Sequence, residues 1–301
     1  MIDLSTWPAL VLTAGLATRL RPLSDVRAKA ALPVGGEPII SRILRWLRDA
    51  GVRRVVLNLH HRPHTVTRIV GDGADWNMGV RYSWESPVLG SAGGPKHALP
   101  LLDAERFLVV NGDTITDCDL HAVAEQHVDT GAAVTMGVIP RQMDRAVIAD
   151  AQGIVTGFGP GTEHFVGVQA MEARALVSVR DDVPSETVKE LYPALIAERP
   201  GSVRVYRSEA EFLDIGTPAD YLETVDIICE REHRRIDSGV GNSVHPTATV
   251  RHSVLWDRVT VQEHAELIDC IVADDVVIPV GHKYERSAIV NGPTGLVISR
   301  F

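Results

Sequence analysis

Cysteine is scarce in this 301-residue chain. Cys118, Cys229 and Cys270 are odd in number and far apart, which excludes a disulfide framework and a cysteine-rich zinc knuckle. A reducing, cytoplasmic compartment is the default for such a pattern. Long apolar runs are also lacking. No stretch is long enough to span a bilayer and no basic–apolar–cleavage pattern opens the chain, so no membrane role is expected. Positive charge is in deficit: 30 Lys and Arg against 39 Asp and Glu leave a formal net charge of −9. Bulk attraction to nucleic acid or to an anionic membrane is therefore not expected. An anionic ligand must be caught by a local cluster of cations. What the chain has in quantity is apolar residues, 45% of the total, ample for a packed core.

Two phosphate-binding signatures are missing as well. There is no Gly, four residues, then Gly-Lys-Ser/Thr, and Gly15-Leu16-Ala17-Thr18-Arg19-Leu20 does not fit G-x-G-x-x-G. The same stretch nevertheless concentrates the chemistry. A short apolar strand, Ala9 to Leu12, runs into Ala14-Gly15. Bare backbone then lies at the carboxyl end of a strand, where ligands bind in open α/β sheets. Amides of a small-residue turn can point at phosphate oxygens, because no Cβ keeps the ligand away. Arg19, Arg21 and Lys29 bring full charges to the same place. Residues 11–33 read as a polyphosphate cradle.

Along the chain, strands and helices alternate. Strands are expected at Val52 to Leu59, Val80 to Trp84, Phe107 to Val110 and Ala132 to Ile139. A helix is expected to start at Gly35-Gly36-Glu37-Pro38, with the apolar face Ile39, Ile40, Ile43, Leu44 and Leu47. Further helices are expected at Thr65 to Val70, up to Leu102, over Leu120 to Val128, over Ser185 to Glu198 and from Pro218 to about Arg235. Loops are expected at Pro87 to Gly94 and Gly159-Pro160-Gly161, and a hairpin over Val147 to Phe158. This is the βαβ pattern of a doubly wound sheet. Asp237 to Asn242 reads as a linker. Beyond it Val259, Ala265, Ile271 and Val277 are spaced by six, as are Val261, Leu267, Ala273 and Pro279, the mark of hexapeptide coils. The expected fold is α/β: a Rossmann-like, doubly wound mixed sheet over residues 1–236, then a short left-handed parallel β-helix over 243–301. So few coils should pack on the main domain or on a second copy of the chain, giving a homo-oligomer.

Two carboxylates stand out. The fourth strand ends in Asn111-Gly112-Asp113, which places Asp113 at the carboxyl edge of the sheet, on the side of the cradle. Hard carboxylate oxygens suit Mg²⁺, which takes substrate phosphates as further ligands. Asp214, in Phe212-Leu213-Asp214-Ile215-Gly216-Thr217-Pro218, is its expected partner. Two carboxylates from distant parts of the chain can clamp one cation beside reacting phosphates. Asp220 reads as a first-turn acid of the helix from Pro218. Glu85 is expected to face a base or sugar. His60-His61-Arg62-Pro63-His64 reads as a solvated histidine loop, because Pro63 interrupts any helical pair of ligands.

Together these motifs resemble the sugar-1-phosphate nucleotidyltransferases, whose pattern runs roughly L-x-A-G-x-G-T-R-L-x-P-L-T and then P-K-P-L-x-P-V. Leu12, Ala14, Gly15, Thr18, Arg19, Leu20, Pro22, Leu23, Lys29, Leu32, Pro33 and Val34 fit it. Ala17 stands where the pattern has Gly, and Ala28 and Ala30 replace the prolines flanking Lys29. The resemblance implies transfer of a nucleoside monophosphate from a nucleoside triphosphate to a sugar 1-phosphate. It implies Arg19, Lys29 and Asp113 as catalytic residues and Mg²⁺ on Asp113 and Asp214. Ala14, Gly15, Thr18 and Arg19 would bind the nucleotide, together with Gly90, Ala92 and Gly93 of a segment resembling the family's G-T-A-G loop. Asn111 and Glu163 would meet the sugar. The family's Glu-Lys-Pro lysine is absent from Gly157 to Glu163, as in the N-acetylmuramate-1-phosphate uridylyltransferase branch. The coils and Phe165-Val166-Gly167-Val168-Gln169 look more like mannose-1-phosphate guanylyltransferases. The base is then GTP or UTP, and the sugar mannose, N-acetylmuramate or a related hexose or heptose. The alternative is a non-catalytic, nucleotide-sugar-binding regulatory subunit of the same fold.

Overall fold

A computed structural model describes residues 2–236 and 239–301. Asp237 and Ser238, which open the expected linker, lie outside the described residues. Seven strands form the central sheet: β1 (Ala9–Leu12), β2 (Arg54–Leu59), β3 (Gly79–Trp84), β4 (Arg106–Asn111), β5 (Val134–Ala149), β6 (Val155–Glu172) and β7 (Val203–Arg207). Their order is β7-β5-β6-β4-β1-β2-β3. Every neighbouring pair is parallel except β4–β6 and β5–β6. The fold is thus mixed α/β around a mostly parallel sheet. The chain builds outward from β1 to β2 and β3, then returns to place β4 on the other side of β1. That reversal makes the crevice in which open α/β sheets bind ligands. Leu12 pairs with Asn111, so the cradle and Asn111-Gly112-Asp113 leave the sheet side by side.

Among the described residues the α-helices are α1 (Ile39–Asp49), α2 (Pro63–Val70), α3 (Gly90–Leu102), α4 (Leu120–Thr130), α5 (Tyr192–Glu198) and α6 (Pro218–Glu232). Ile39, Ile40, Ile43, Leu44 and Leu47 of α1 are all buried, as their spacing requires. The sheet's core gathers Leu10, Val56, Phe107, Val109, Met136 and Val203 with Ala98 and Leu102 of α3. Each such large side chain withdrawn from water contributes about 1.5–3 kcal/mol.

Several local expectations are corrected. Glu37-Pro38 is not the first helical turn: it pairs antiparallel with Pro33–Val34. Gly35 and Gly36 both take positive φ, 61° and 76°, the requirement of a tight type I′ hairpin turn. The helix starts one residue later. Gly90 to Gly94 belong to α3 rather than to the loop before it. Gly159-Pro160-Gly161 lies inside β6, where Gly159 pairs with Ala146 and Gly161 with Met143 across register shifts. Such irregularities let a proline sit in a ladder. The segment expected to be helical from Ser185 opens as a π-type turn at Thr187–Leu191 before α5.

The chain divides into two compact units. One holds the residues up to Gly15, Arg42–Pro63 and Val70–Phe212, and with them the sheet. The other holds Leu16–Ser41, His64–Ile69 and Leu213–Phe301: the cationic part of the cradle, α6 and the C-terminal strands. Those strands are β8 (Ser243–Val244), β9 (Thr249–Arg251), β10 (Val254–Leu255), β11 (Thr260–Val261), β12 (Glu266–Ile268), β13 (Ile271–Val272), β14 (Val277–Ile278), β15 (Lys283–Glu285), β16 (Ser287–Gly292) and β17 (Gly295–Arg300). They stack in three parallel ladders, β8-β11-β14, β9-β12-β15 and β10-β13-β16, with β17 antiparallel on β16. Equivalent residues lie 17 apart, and hydrogen bonds such as Cys270 N to Ser253 Oγ recur at that interval. So do left-handed corner residues: Gly241, Arg258 and Asp275, and again His252, Asp269 and Arg286. A repeat of 17 is one short of three six-residue beats. The expected spacing therefore slips by one per turn: Val259 and Ala265 are buried, but Val276 (0% exposed) takes the place assigned to Val277 (46%).

Candidate active site

Strand β1 ends in a turn that the sheet unit fixes from below. The amides of Thr13 and Ala14 donate to Asn58 Oδ1 at 2.6 and 3.3 Å. Asn58 Nδ2 donates to Glu85 Oε1 at 2.7 Å, and Leu89 N donates to Glu85 Oε2 at 2.8 Å. Asn58 and Glu85 are buried, at 3% and 5% exposure. A buried carboxylate is tolerable only when such donors satisfy it. Glu85 is thus not open to a base or sugar; it ties the cradle's turn to the start of α3. Gly94 is a glycine for this reason, since a Cβ there would stand 2.7 Å from Glu85 Oε1. Sequence reasoning missed Asn58, although an amide inside the apolar run Val55-Val56-Leu57-Asn58-Leu59 was the available signal.

Gly15 is exposed, and a Cβ added to it would meet nothing within 4 Å. The face of the turn where a phosphate would approach is open. Gly112 N donates to Leu12 O at 2.9 Å, and a Cβ on Gly112 would strike that oxygen at 2.5 Å. Only glycine lets β4 turn this close to β1, and half-buried Asp113 follows at once. Asn111 lies under Gly167, whose left-handed backbone (φ 77°) would bring a Cβ within 3.1 Å of Asn111 Cβ. The glycines of α3 also serve a close approach. Ala92 N and Gly93 N donate to Ser185 O at 2.9 and 3.3 Å, and Gly90 leaves no room for a Cβ against the same carbonyl, 2.7 Å away. Glu163 accepts a hydrogen bond from Arg207 Nε, across β6 and β7.

The sheet unit also holds a cavity of about 690 Å³ between the β5–β6 arm and the 186–189 segment. Met136, Val147, Phe158 and Phe165 give it apolar walls, and Arg145 and Lys189 add cations. Its size falls in the range of small-molecule sites.

In the second unit, Arg19 and Asp214 both approach Gly216. A Cβ on Gly216 would lie 3.3 Å from Arg19 Nη2, 3.3 Å from Asp214 Oδ2 and 3.0 Å from Asp220 Oδ2. The arginine of the cradle and the second aspartate thus converge on one glycine. Asp220 itself completes the capping box of α6: its Oδ2 accepts from Thr217 N at 2.8 Å, and its own amide donates to Thr217 Oγ1 at 3.2 Å. Lys29 opens a 3₁₀ turn between buried Ala28 and Ala30. Thr18, Arg19 and Asp214 are exposed. Among the described residues no cluster of three His, Cys, Asp or Glu is arranged to hold a metal alone.

The profile of the nucleotidyl transferase family matches residues 8–158. The mannose-1-phosphate guanylyltransferase of Mycobacterium tuberculosis is 28% identical over 223 residues, 71% of this chain and 62% of that protein. The N-acetylmuramate alpha-1-phosphate uridylyltransferase of Neisseria meningitidis is 41% identical over 115 residues, 38% of this chain and 50% of its own length. The match thus spans less than two thirds of either relative. In three dimensions, HddC from Yersinia pseudotuberculosis shares the fold, with a TM-score of 0.65 and 23% identity over 74% of this chain and 99% of that one. The profile covers β1, the turn after it and the Asn111-Gly112-Asp113 corner, over half the length of the sequence, and the chain belongs to the nucleotidyl transferase family.

Proposed function

We propose that the chain transfers a nucleoside monophosphate from a nucleoside triphosphate to a sugar 1-phosphate, releasing pyrophosphate. The convergence of Arg19 and Asp214 at Gly216 carries the reading, because it joins the phosphate-binding loop to a metal-type carboxylate. The names of the two relatives support GTP or UTP as donor and mannose or N-acetylmuramate as acceptor, and a related hexose or heptose is kept as an alternative acceptor. An oxygen of the sugar phosphate forms a bond to the α-phosphorus as the bond to the bridging oxygen of pyrophosphate breaks. The electron pair leaves with pyrophosphate. The attacking group is already ionised, so no general base is required. Catalysis is then positioning plus electrostatics. Arg19 neutralises the triphosphate, Lys29 holds phosphate at the reacting centre, and Ala14, Gly15 and Thr18 are proposed to bind the nucleotide.

Asp113 and Asp214 are each proposed as a ligand of a divalent cation, Mg²⁺ by their hard oxygen chemistry. When bound, that ion supplies charge neutralisation between the phosphates. The apolar cavity beside β5 and β6 is the proposed seat of the sugar, with Asn111 at the sheet edge and Glu163 in the same arm. Gly90, Ala92 and Gly93 shape the start of α3 on the base side. The C-terminal ladders are read as coils of a left-handed parallel β-helix, able to join copies of the chain. No described helix is long and apolar enough to cross a membrane; a cytoplasmic location is proposed.

The test is a matrix of nucleoside triphosphates against glucose, mannose, N-acetylmuramate and heptose 1-phosphates, scored by pyrophosphate release. One strongly preferred pair supports the reading. Binding of nucleotide-sugar with no turnover for any pair would favour the regulatory-subunit alternative.

A further inference from the structure

In the cationic loop, residues 16–34, Arg27 turns away from solvent. Arg27 Nε donates to Asp274 Oδ2 at 2.7 Å, and its Nη2 donates to Asp274 Oδ1 and to Asp257 Oδ2, each at 2.6 Å. Its side chain is 15% exposed, and its guanidinium carbon lies 5.3 Å from the centre of the Trp256 ring. Asp257 and Asp274 occupy the same position on successive turns of the ladders, 17 residues apart, and Asp257 N donates to Asp274 Oδ1. The repeat therefore stacks two carboxylates, which repel one another unless a cation lies between them. Arg27 is that cation, in the bidentate geometry that lysine cannot reproduce.

A second tie holds the far end of the loop. Fully buried Trp256 donates from Nε1 to Tyr221 Oη at 3.0 Å, and Tyr221 Oη donates to Pro33 O at 2.5 Å. Arg234 Nη1 donates to Gly35 O at 2.8 Å. Lys29 lies between the two ties and Arg19 lies just before them. By contrast Arg21 pairs on the surface with Asp25, a residue of the same loop, at 3.3 Å.

We propose that Arg27 is a positioning residue, clamped on the stacked Asp257–Asp274 pair and Trp256, which makes the C-terminal ladders the jig that holds Arg19 and Lys29 in place for the triphosphate. This rests on the reaction proposed above. The ladders then act in catalysis without touching substrate, and loosening the clamp weakens capture of triphosphate before it unfolds the protein.

The experiment compares full-length wild type, Arg27→Ala, Arg27→Lys, Asp274→Asn and the Arg27→Ala/Asp274→Asn double variant. Amide exchange over residues 16–34, affinity for GTP and UTP, and KM and kcat are measured on each. The exposed Arg258–Asp275 pair, also on successive turns, gives the control Arg258→Gln. Faster exchange in residues 16–34, with a KM for triphosphate raised at least about tenfold, is expected for Arg27→Ala and Asp274→Asn. The double variant should be no worse than Arg27→Ala, Arg27→Lys should rescue little, and the control should not change. Should Arg27→Ala fail to fold, Asp274→Asn alone carries the same test. Exchange and KM within twofold of wild type in the folded variants would overturn the proposal, as would an equal effect from Arg258→Gln. Absence of turnover in the wild type would sink the proposed reaction instead, while exchange and nucleotide affinity would still decide the role of Arg27.

Discussion

Ala17 sits in left-handed backbone, φ 47° and ψ 45°, at the position where the family pattern has glycine. A Cβ there costs about 1–2 kcal/mol, most of which glycine avoids. Ala17→Gly should therefore stabilise the protein by about 1 kcal/mol, read as a higher midpoint in urea with an unchanged slope. Ala28, before Lys29, has a different cause. Ala28 N donates to Thr65 Oγ1 at 3.0 Å, a bond that proline could not make. The loss of proline there exchanges a rigid φ for a hydrogen bond. Glu85 is the residue whose role sequence alone misjudged. Its neighbours in the chain pointed to a ligand, whereas its partner Asn58 comes from another strand. Glu85→Ala should cost about 2–3 kcal/mol in thermal or chemical unfolding, because it strands the amide of Asn58 and the N–H of Leu89 in the interior. A residue whose meaning is local, such as Asp220 at the start of α6, was legible; those defined by a partner far along the chain, such as Asn58 for Glu85 and Leu12 for Gly112, were not.

At the scale of elements, two histidines tie stability to pH with opposite sign. His127, on α4, is buried beside Trp7 and bonded to Thr135 Oγ1 at 3.0 Å. Burial pushes its imidazole down from 6.5 to about 4. The unfolded chain takes up that proton more readily, so the contribution is complete above pH 6.5 and is lost as pH falls towards about 4. His252, at a corner of the ladders, lies 2.5 Å from both Asp226 of α6 and Asp269. Partial burial opposes its charge, but the hydrogen bonds to Asp269 and Asp226 outweigh it and raise the pKa above 6.5. That contribution is complete below pH 6.5 and is lost as pH rises through the raised value. Melting temperatures across pH 4 to 9 check both: His127→Leu should flatten the acid side, and His252→Asn should lose more at pH 6 than at pH 9. The starts of α4 and α6 were readable because their caps are local: Asp119 accepts from His121 N and Ala122 N, and Thr217 and Asp220 bond each other. The starts of α1 and α3 were not. Gly35 and Gly36 close a hairpin that displaces the helical start, and the carbonyl over the start of α3 belongs to Ser185, far along the chain.

For the whole molecule, the alternation of strands and helices announced a parallel α/β sheet, and the apolar beats after Asn242 announced stacked turns. The sequence did not reveal the repeat of 17, because one residue dropped per turn blurs a six-residue period within three turns. Nor did it reveal that the ladders clamp the cationic loop through Arg27, since Asp257 and Asp274 become neighbours only once the turns stack. The account of function depends on Asp113 acting at the reacting phosphates. Its most direct test is pyrophosphate release from GTP or UTP with a sugar 1-phosphate and Mg²⁺, comparing wild type with Asp113→Ala. Release should require both substrates and fall at least about 100-fold in Asp113→Ala, with an unchanged melting temperature. Near-wild-type release by a folded Asp113→Ala variant, or release that ignores the sugar 1-phosphate, would contradict it.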